Sequence, residues 1–183
     1  MAKTPIHTAK HDQATAFKIA AAAIFAALVA VATLTFIIPI PATSGYFNLG
    51  ETIIYSAALL LGPAVGAIAG AGASIADTLV AAQFAPGTLA IKAIEGFLVG
   101  FLFRKLYQKT KNTIISASIA SAIGGLEMVI GYFLYETLAL GYPAELALLE
   151  VPFNVFQMLI GLVIAVPVML AVLRVFPQLK NYL

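Results

Sequence analysis

The chain alternates long apolar runs with short polar segments, and the runs have the length of membrane-crossing helices. The first run covers residues 17–38, which exceeds the roughly 20 residues that an α-helix needs to span a bilayer. Proline, glycine and polar breaks delimit five further predicted helices, at about residues 51–61, 64–82, 88–103, 113–135 and 152–173. The pattern predicts an all-α integral membrane protein, with a six-helix transmembrane bundle forming one domain over residues 17–183 after a polar arm of residues 1–16.

The breaks between the runs predict how the helices are joined. The second helix is only about 17 Å long at 1.5 Å per residue, so the loop before it is expected to dip back into the membrane face in an ordered form. Thr88 is the expected N-cap of the fourth helix. Pro167 is expected to kink the sixth helix, and residues 142–150 are expected to form a short segment before it.

Composition and the placement of bases support a membrane protein and predict its orientation. The chain is 62% hydrophobic and 10% charged, with a mean hydropathy of +1.01, so it cannot cover itself with polar surface in water. The bases outside apolar runs lie in the arm, in the linker of residues 104–111 and at the carboxyl end. Because cytoplasmic loops retain Lys and Arg, both termini are predicted to be cytoplasmic. The net charge of +2 reports this topology and gives no basis for nucleic-acid binding.

Polar side chains inside the apolar runs gather in the outer half of the predicted bundle. They are Glu51, Asp77, Lys92, Glu95, Glu127, Asn154 and Gln157. Charges at the centre of a membrane helix cost roughly 2.5 to 3.5 kcal/mol each on insertion scales, so a group of them needs partners or water. The set predicts a polar pocket that opens to the outside, with Glu51 and Glu150 as solvated helix ends.

Each of these residues also has a structural interpretation. Lys92 and Glu95, three apart on one helix face, either contact a ligand or neutralise one another. Asn154 and Gln157 either bind a ligand or bridge helices through hydrogen bonds. Asp77 is an alternative ion-pair partner for Lys92.

Two further sets of candidates have both a ligand-binding and a structural interpretation. Glu127 follows Gly124 and Gly125, where a neighbouring backbone can approach closely, and its ligand and structural interpretations are equally supported. Aromatic residues at interface depth are typical of a membrane belt and, as the minority interpretation, of stacking on a planar ligand; they are Tyr46, Phe47, Tyr132 and Tyr135.

Small residues predict where helices approach one another. Ala22, Ala26 and Ala30 repeat at four-residue spacing on the first helix, with Ala23 and Ala27 beside them. Such a stripe lets another helix approach to backbone contact, either within the bundle or on a partner subunit. Glycines at the same spacing on the third and fourth helices, Gly62, Gly66 and Gly70 and then Gly96 and Gly100, are assigned to packing within the bundle.

The sequence lacks the motifs of several chemistries. It has no cysteine, which excludes disulfides and thiolate metal sites, and its two histidines, His7 and His11, both lie in the arm. It has no GxxxxGK[ST] loop for ATP phosphates and no HExxH zinc motif. We therefore expect no metal, no cofactor and no catalysis.

The order and spacing of these motifs resemble the substrate-binding S component of an energy-coupling factor (ECF) vitamin transporter, in the branch related to riboflavin and hydroxymethylpyrimidine. The matching elements are the alanine stripe, residues 45–51 (GYFNLGE), Leu61-Gly62-Pro63-x-x-Gly66, Asp77, Lys92-x-x-Glu95-Gly96 and Asn154-x-x-Gln157. No single element is specific, but together they extend over nearly all of residues 17–173.

The resemblance implies a subunit embedded in a prokaryotic cell membrane, which binds a vitamin or precursor from outside with high affinity. The loop between the first two helices would act as a lid, and the last three helices would form the pocket. Ala22, Ala26 and Ala30, or Ala23 and Ala27 in the alternative register, would dock on a transmembrane T component attached to two ATP-binding cassette subunits, which alone bind ATP. Lys92, Glu95, Asn154 and Gln157 are the strongest pocket candidates, followed by Asp77, Glu127, Tyr132, Tyr46 and Asn48.

The substrate and two rival functions stay open. A pocket with one base and several acids suits a polar, zwitterionic or ring-nitrogen ligand, which favours a hydroxymethylpyrimidine, pyridoxine or thiamine-like compound over riboflavin. The first rival is a self-sufficient secondary transporter or channel. The second is an intramembrane enzyme with Glu95 or Glu127 as general base.

Overall fold

The computed structural model describes the backbone of residues 5–182 and the side chains of residues 15–179. Over this range the chain forms eight α-helices, a β-hairpin and a closing 3-10 helix. The helices are α1 (Pro5–Thr35), α2 (Gly50–Leu61), α3 (Pro63–Ala71), α4 (Ala73–Val80), α5 (Ala85–Thr110), α6 (Thr113–Leu138), α7 (Ala144–Ala147) and α8 (Val151–Val175). The hairpin pairs β1 (Ile38–Ile40) with β2 (Gly45–Phe47), and the 3-10 helix is Pro177–Tyr182.

Helix α1 begins well before the apolar run that it contains. It starts at Pro5, so residues 5–16 of the predicted arm continue the same helix. Proline is tolerated in the first helical turn, and the alanines and lysines that follow are good helix formers. The polar residues of the arm mark where the apolar surface of α1 ends. The end of the helix itself is determined by helix propensity, which the arm retains. The apolar part, Thr15–Thr35, has a mean hydropathy of 2.2.

The loop after α1 is ordered as a short antiparallel hairpin, a form that its sequence did not predict. Ile38 pairs with Phe47 and Ile40 with Gly45. The turn is closed by bonds from the Thr43 and Ser44 amides to the Ile40 carbonyl, at 3.2 and 3.1 Å. Ser44 adopts a positive φ of 61° there.

Helix α2 lies at the centre of the bundle. All of its residues except Thr52 and Ile53 are buried, and it packs against α1, α3, α5 and α8. It ends at Gly62, whose φ of 93° belongs to a region that a residue with a Cβ rarely adopts. Pro63 then starts α3, which produces the tight turn predicted at this position.

The predicted third helix is interrupted. It consists of α3 and α4, separated at Gly72, where a Cβ would collide with the backbone of Ala26 in α1. The close approach of α1 therefore requires glycine at the break. Together the two helices form one apolar stretch, Pro63–Val80.

The fourth predicted helix starts earlier than its expected N-cap. Helix α5 begins at Ala85, with Pro86 in its first turn, so the assignment of Thr88 as N-cap was wrong. Thr88 is instead buried, and its hydroxyl lies 2.8 Å from the Tyr132 hydroxyl. Helix α6 begins at Thr113 as predicted, capped by the Asn112 side chain on the Ile115 amide at 3.0 Å.

Glycines allow α3 and α5 to pack closely against each other. A Cβ on Gly66 would meet the Gly96 carbonyl oxygen, and one on Gly96 would meet the Gly66 carbonyl. The two backbones are therefore in direct contact, as the glycine spacing predicted for packing within the bundle.

The outer faces of the bundle are apolar. Leu79 is 72% exposed and Val163 64% exposed, which suits lipid and not water. Among the residues that the structure describes, five stretches are long and apolar enough to cross a membrane, and Gly50–Leu61 is a shorter apolar helix. The prediction of an all-helical membrane bundle is confirmed at this level. We call the end of the bundle that carries β1 and β2 the hairpin end, and the end that carries the linker of residues 111–112 the basic end.

Candidate functional site

A small polar cavity lies beneath the hairpin, at the hairpin end of the bundle. Its volume is about 30 Å³, enough for only a few water molecules. Residues of the hairpin segment, α4, the turn before α5, α6 and the start of α8 line it. They are Gly45, Tyr46, Asn48, Asp77, Phe84, Tyr132, Glu150, Asn154 and Gln157.

Hydrogen bonds hold the hairpin over this cavity. The Tyr46 hydroxyl donates to Asp77, and the Thr43 hydroxyl donates to Glu150. The Asn48 amide donates to the Gln157 side-chain oxygen at 2.8 Å. Burial, followed by the neighbouring Asp77 carboxyl, raises the pKa of the Tyr46 phenol, so this hydroxyl keeps the proton that it donates. The hairpin segment is thus tied to α4 and α8 at the same time.

A buried charge network lies behind the cavity wall. Lys92 is ion-paired with Glu51, and its ammonium nitrogen is 3.4 Å from a Glu95 oxygen. The Tyr55 hydroxyl donates to Glu95 at 2.8 Å. Lys92, Glu51 and Glu95 are 2%, 1% and 0% exposed. Because an unpaired charge at this depth would be strongly unfavourable, the single base is held by the two acids.

Two contacts link this network to the cavity. The Gln157 amide nitrogen donates to Glu51 at 2.9 Å, while the oxygen of the same amide accepts from the hairpin segment. The Lys92 ammonium lies 5.4 Å from the centre of the Tyr132 ring, within the range of a cation–π contact.

Most of the predicted pocket residues line the cavity, but the leading candidate does not. The cavity wall includes Asn154, Gln157, Asp77, Tyr132, Tyr46 and Asn48. Lys92 and Glu95 instead lie in the buried network. They are paired with each other there, as the structural interpretation of their spacing predicted. Glu127 is half-buried on α6, and one of its carboxyl oxygens is buried without a hydrogen-bond partner. Asp77 bonds Tyr46 and not Lys92, the partner that its position had suggested.

The sequence reasoning missed Glu150 and misjudged Glu51. Both were expected to be solvated helix ends, yet Glu51 is 1% and Glu150 5% exposed, so that expectation was wrong. The folded-back hairpin covers Glu150 through Thr43, and contacts from α5 and α8 enclose Glu51. Phe84 also lines the cavity without having been singled out. The half-polar loop just before Glu51 was the one feature of the sequence that could have indicated this burial.

The two alanine registers of α1 face different ways. Ala22 and Ala30 are 3% and 7% exposed, and Ala26 is half-buried against Gly72. Ala23 and Ala27 are exposed. The stripe of Ala22, Ala26 and Ala30 is therefore used inside the bundle, and the alternative register is the one on the surface.

The cavity has the chemistry of a binding site for a polar organic molecule. Its lining offers carboxyl, amide and hydroxyl groups beside aromatic rings, the mixture typical of small-molecule pockets. Among the residues that the structure describes, no three His, Cys, Asp or Glu side chains converge as metal ligands would.

Comparison with known proteins assigns the family. The family described as "ECF-type riboflavin transporter, S component" matches residues 13–174. A protein of Pyrococcus woesei, described as "Uncharacterized protein in gap 3'region", is 38% identical over 105 residues, which are 57% of this chain and 68% of the relative. The solved structure of the S component of a bacterial ECF transporter is similar in fold, with a TM-score of 0.61 and 18% identity over 92% of this chain and 98% of that one. The chain belongs to the family of ECF-type riboflavin transporter S components.

Proposed function

We propose that the chain is the high-affinity binding subunit of an ECF-type importer, which captures a water-soluble vitamin or vitamin precursor in the cavity under the hairpin. The observation that carries this proposal is the small polar cavity beneath the hairpin, at one end of an otherwise apolar bundle. A membrane protein that only needs to be stable has no reason to bury so many polar groups on one side. Membership of the S-component family supports a role for that cavity in substrate binding.

The hairpin end faces the outside in this proposal, and both termini are cytoplasmic. Exposed bases lie at the opposite end, where Lys105, Lys109 and Lys111 close α5 and its linker. Lys and Arg near helix ends are retained on the cytoplasmic side, which supports this orientation. Termini on the same side require an even number of crossings, and we count six, with α2 as the short one beside the five longer apolar stretches.

The hairpin would serve as the lid of the cavity. A volume of about 30 Å³ cannot hold a vitamin, so binding requires the hairpin to lift. The hydrogen bonds that hold it contribute only about 0.5–1.5 kcal/mol each in net terms, somewhat more where a carboxylate accepts. Lifting the hairpin against hydrogen bonds of this strength is therefore feasible on the timescale of loop motion.

Transport itself would need partner subunits. The exposed face of α1 presents Ala16, Ala20, Ala23 and Ala27, small side chains that let a second helix approach closely in lipid. We assign this face to docking on a transmembrane T component, which would be attached to two ATP-binding cassette ATPases. ATP would be bound by those ATPases and not by this chain.

Affinity purification of the tagged chain from its native membranes tests the proposal. We expect a transmembrane partner and two ATPases to copurify in stoichiometric amounts, and uptake to depend on ATP. Substrate flux through vesicles that contain this chain alone would replace the proposal with a self-sufficient transporter. Turnover of a substrate by the purified chain would replace it with an enzyme.

A further inference from the structure

We propose that the cavity under the hairpin is built for an organic cation, a small heteroaromatic molecule with a quaternary or protonated nitrogen. This inference rests on the proposed function and names the chemical class of its ligand. It departs from the neutral flavin in the family's description.

The first argument is the charge of the cavity wall. Asp77 and Glu150 both line the cavity and are each 5% exposed. No lysine, arginine or histidine is present among the described residues that line it. The hydroxyls of Tyr46 and Thr43 satisfy hydrogen bonds of the two carboxyls, but they bring no positive charge. A ligand cation would supply the charge that the protein omits.

A third acid lies at the same place. The Glu136 carboxyl is 1% exposed and is in hydrogen-bond contact with that of Glu150. Two carboxyls in such contact favour sharing one proton over both being ionised. A cation bound next to Glu150 would stabilise the ionised form of the pair.

The positive charge of the nearest base is already neutralised by acids of the protein. Lys92 is paired with Glu51 and Glu95, so the network behind the wall contains two acids for one base. A zwitterionic ligand would need a free positive group in the wall, and Lys92 cannot supply it without abandoning a buried carboxylate. The structure thus removes the reason to expect an anionic group on the ligand.

The aromatic lining suits the same kind of ligand. Tyr46, Phe84 and Tyr132 contribute three rings to the cavity wall. Aromatic faces attract organic cations through their quadrupole, and the attraction grows when the cation is desolvated. Rings and carboxyls around one space are the combination that recognises a nitrogen cation attached to a flat ring.

An unpartnered amide shows that the wall awaits a ligand. Asn154 is 6% exposed and lines the cavity, and its side-chain amide has no hydrogen-bond partner among the described residues. This amide lines the cavity, so its donor and acceptor are available for polar atoms of the bound molecule. A heteroaromatic ring with amino or ring-nitrogen groups offers both.

Equilibrium binding to the purified full-length chain at pH 7 tests the inference with three probes of different charge. Thiamine carries a permanent cation on a heteroaromatic ring, riboflavin is neutral and biotin is an anion. We expect thiamine to bind most tightly. Asp77→Asn and Glu150→Gln, which keep the shape of each side chain, should each weaken thiamine binding about ten- to hundredfold, as expected for hydrogen bonds to a charged group.

The matched control is Glu145→Gln. Glu145 is exposed on α7 near the same end of the bundle, so its removal changes the net charge equally without touching the cavity. Its thiamine affinity should stay within about twofold of the unmodified chain, because exposed charges are screened. Where one cavity variant fails to give a monodisperse protein, the other variant and the ranking of the three probes decide.

Three results would overturn the inference: riboflavin or biotin binding at least as tightly as thiamine, no thiamine binding up to about 1 mM, or unchanged affinity in both cavity variants. Tight binding of riboflavin would do so while leaving vitamin capture intact. Failure of the proposed function is recorded separately, by the absence of a T component and ATPases in the native-membrane purification.

Discussion

Replacing Lys92 with methionine should destabilise the whole bundle, because it leaves two buried carboxyls without their cation. Lys92, Glu51 and Glu95 are 2%, 1% and 0% exposed, so water cannot take the place of the ammonium group. Removal of one partner from a buried ion pair typically lowers the free energy of unfolding by about 3–5 kcal/mol. For a chain of this size that corresponds to a fall of about 6–20 °C in melting temperature.

Thermal unfolding in detergent, followed by circular dichroism, measures this effect. The chain has no tryptophan for intrinsic fluorescence and no cysteine for attaching a fluorescent label. Lys109→Met is the matched control: it removes the same charge from an exposed position in the last turn of the same helix. Its unfolding free energy should change by less than about 0.5 kcal/mol.

A double variant separates charge from packing. Lys92→Met combined with Glu51→Gln removes the ion pair as a unit, and the glutamine can still accept the Gln157 hydrogen bond. It should regain about 1–3 kcal/mol of the loss, the usual size of coupling between contacting residues. Equal melting temperatures for Lys92→Met and Lys109→Met would refute the reasoning, as would a double variant no more stable than Lys92→Met.

Three further predictions concern binding, docking and packing. Asn154→Ala should weaken ligand binding about tenfold, as for loss of one good hydrogen bond, yet leave the melting temperature unchanged because its amide has no hydrogen-bond partner among the described residues; a parallel loss of stability would contradict this role. Ala27→Leu should abolish copurification of partner subunits and spare ligand binding, whereas Ala26→Leu should mainly lower stability; the opposite assignment in a pull-down and melting experiment would reverse the two registers. Gly96→Val should cost about 1–3 kcal/mol or more through overpacking, while Ala90→Val on the exposed face of the same helix should unfold like the unmodified chain.

The membrane bundle could be predicted from the sequence because hydropathy and chain breaks are local signals. Runs of apolar residues gave the spans, and Gly62 with Pro63 gave the turn after α2. The hairpin could not be predicted in the same way, since strands of three residues are too short for a periodicity. The break at Gly72 was equally invisible, because its cause is the approach of α1.

The candidate site was predictable only as far as depth along a helix determines it. The spacing of Lys92 and Glu95 predicted their contact, but the pairing of Lys92 with Glu51 depends on how α2 packs against α5. Glu150 lies at the start of α8, a position that is normally solvated, and it becomes buried only because the hairpin folds over it. Tertiary contacts of this kind leave no pattern in the sequence.

The side chain of Gln157 connects the hairpin directly to the buried ion pair. Its oxygen accepts from the hairpin segment and its nitrogen donates to Glu51, so a single rigid amide plane contacts both. In the proposed function, lifting the hairpin would free that plane to rotate and deprive Glu51 of a donor. By linkage, whatever tightens the ion pair would then also favour the lowered hairpin, and a ligand that holds the hairpin down would strengthen the ion pair by the same free energy.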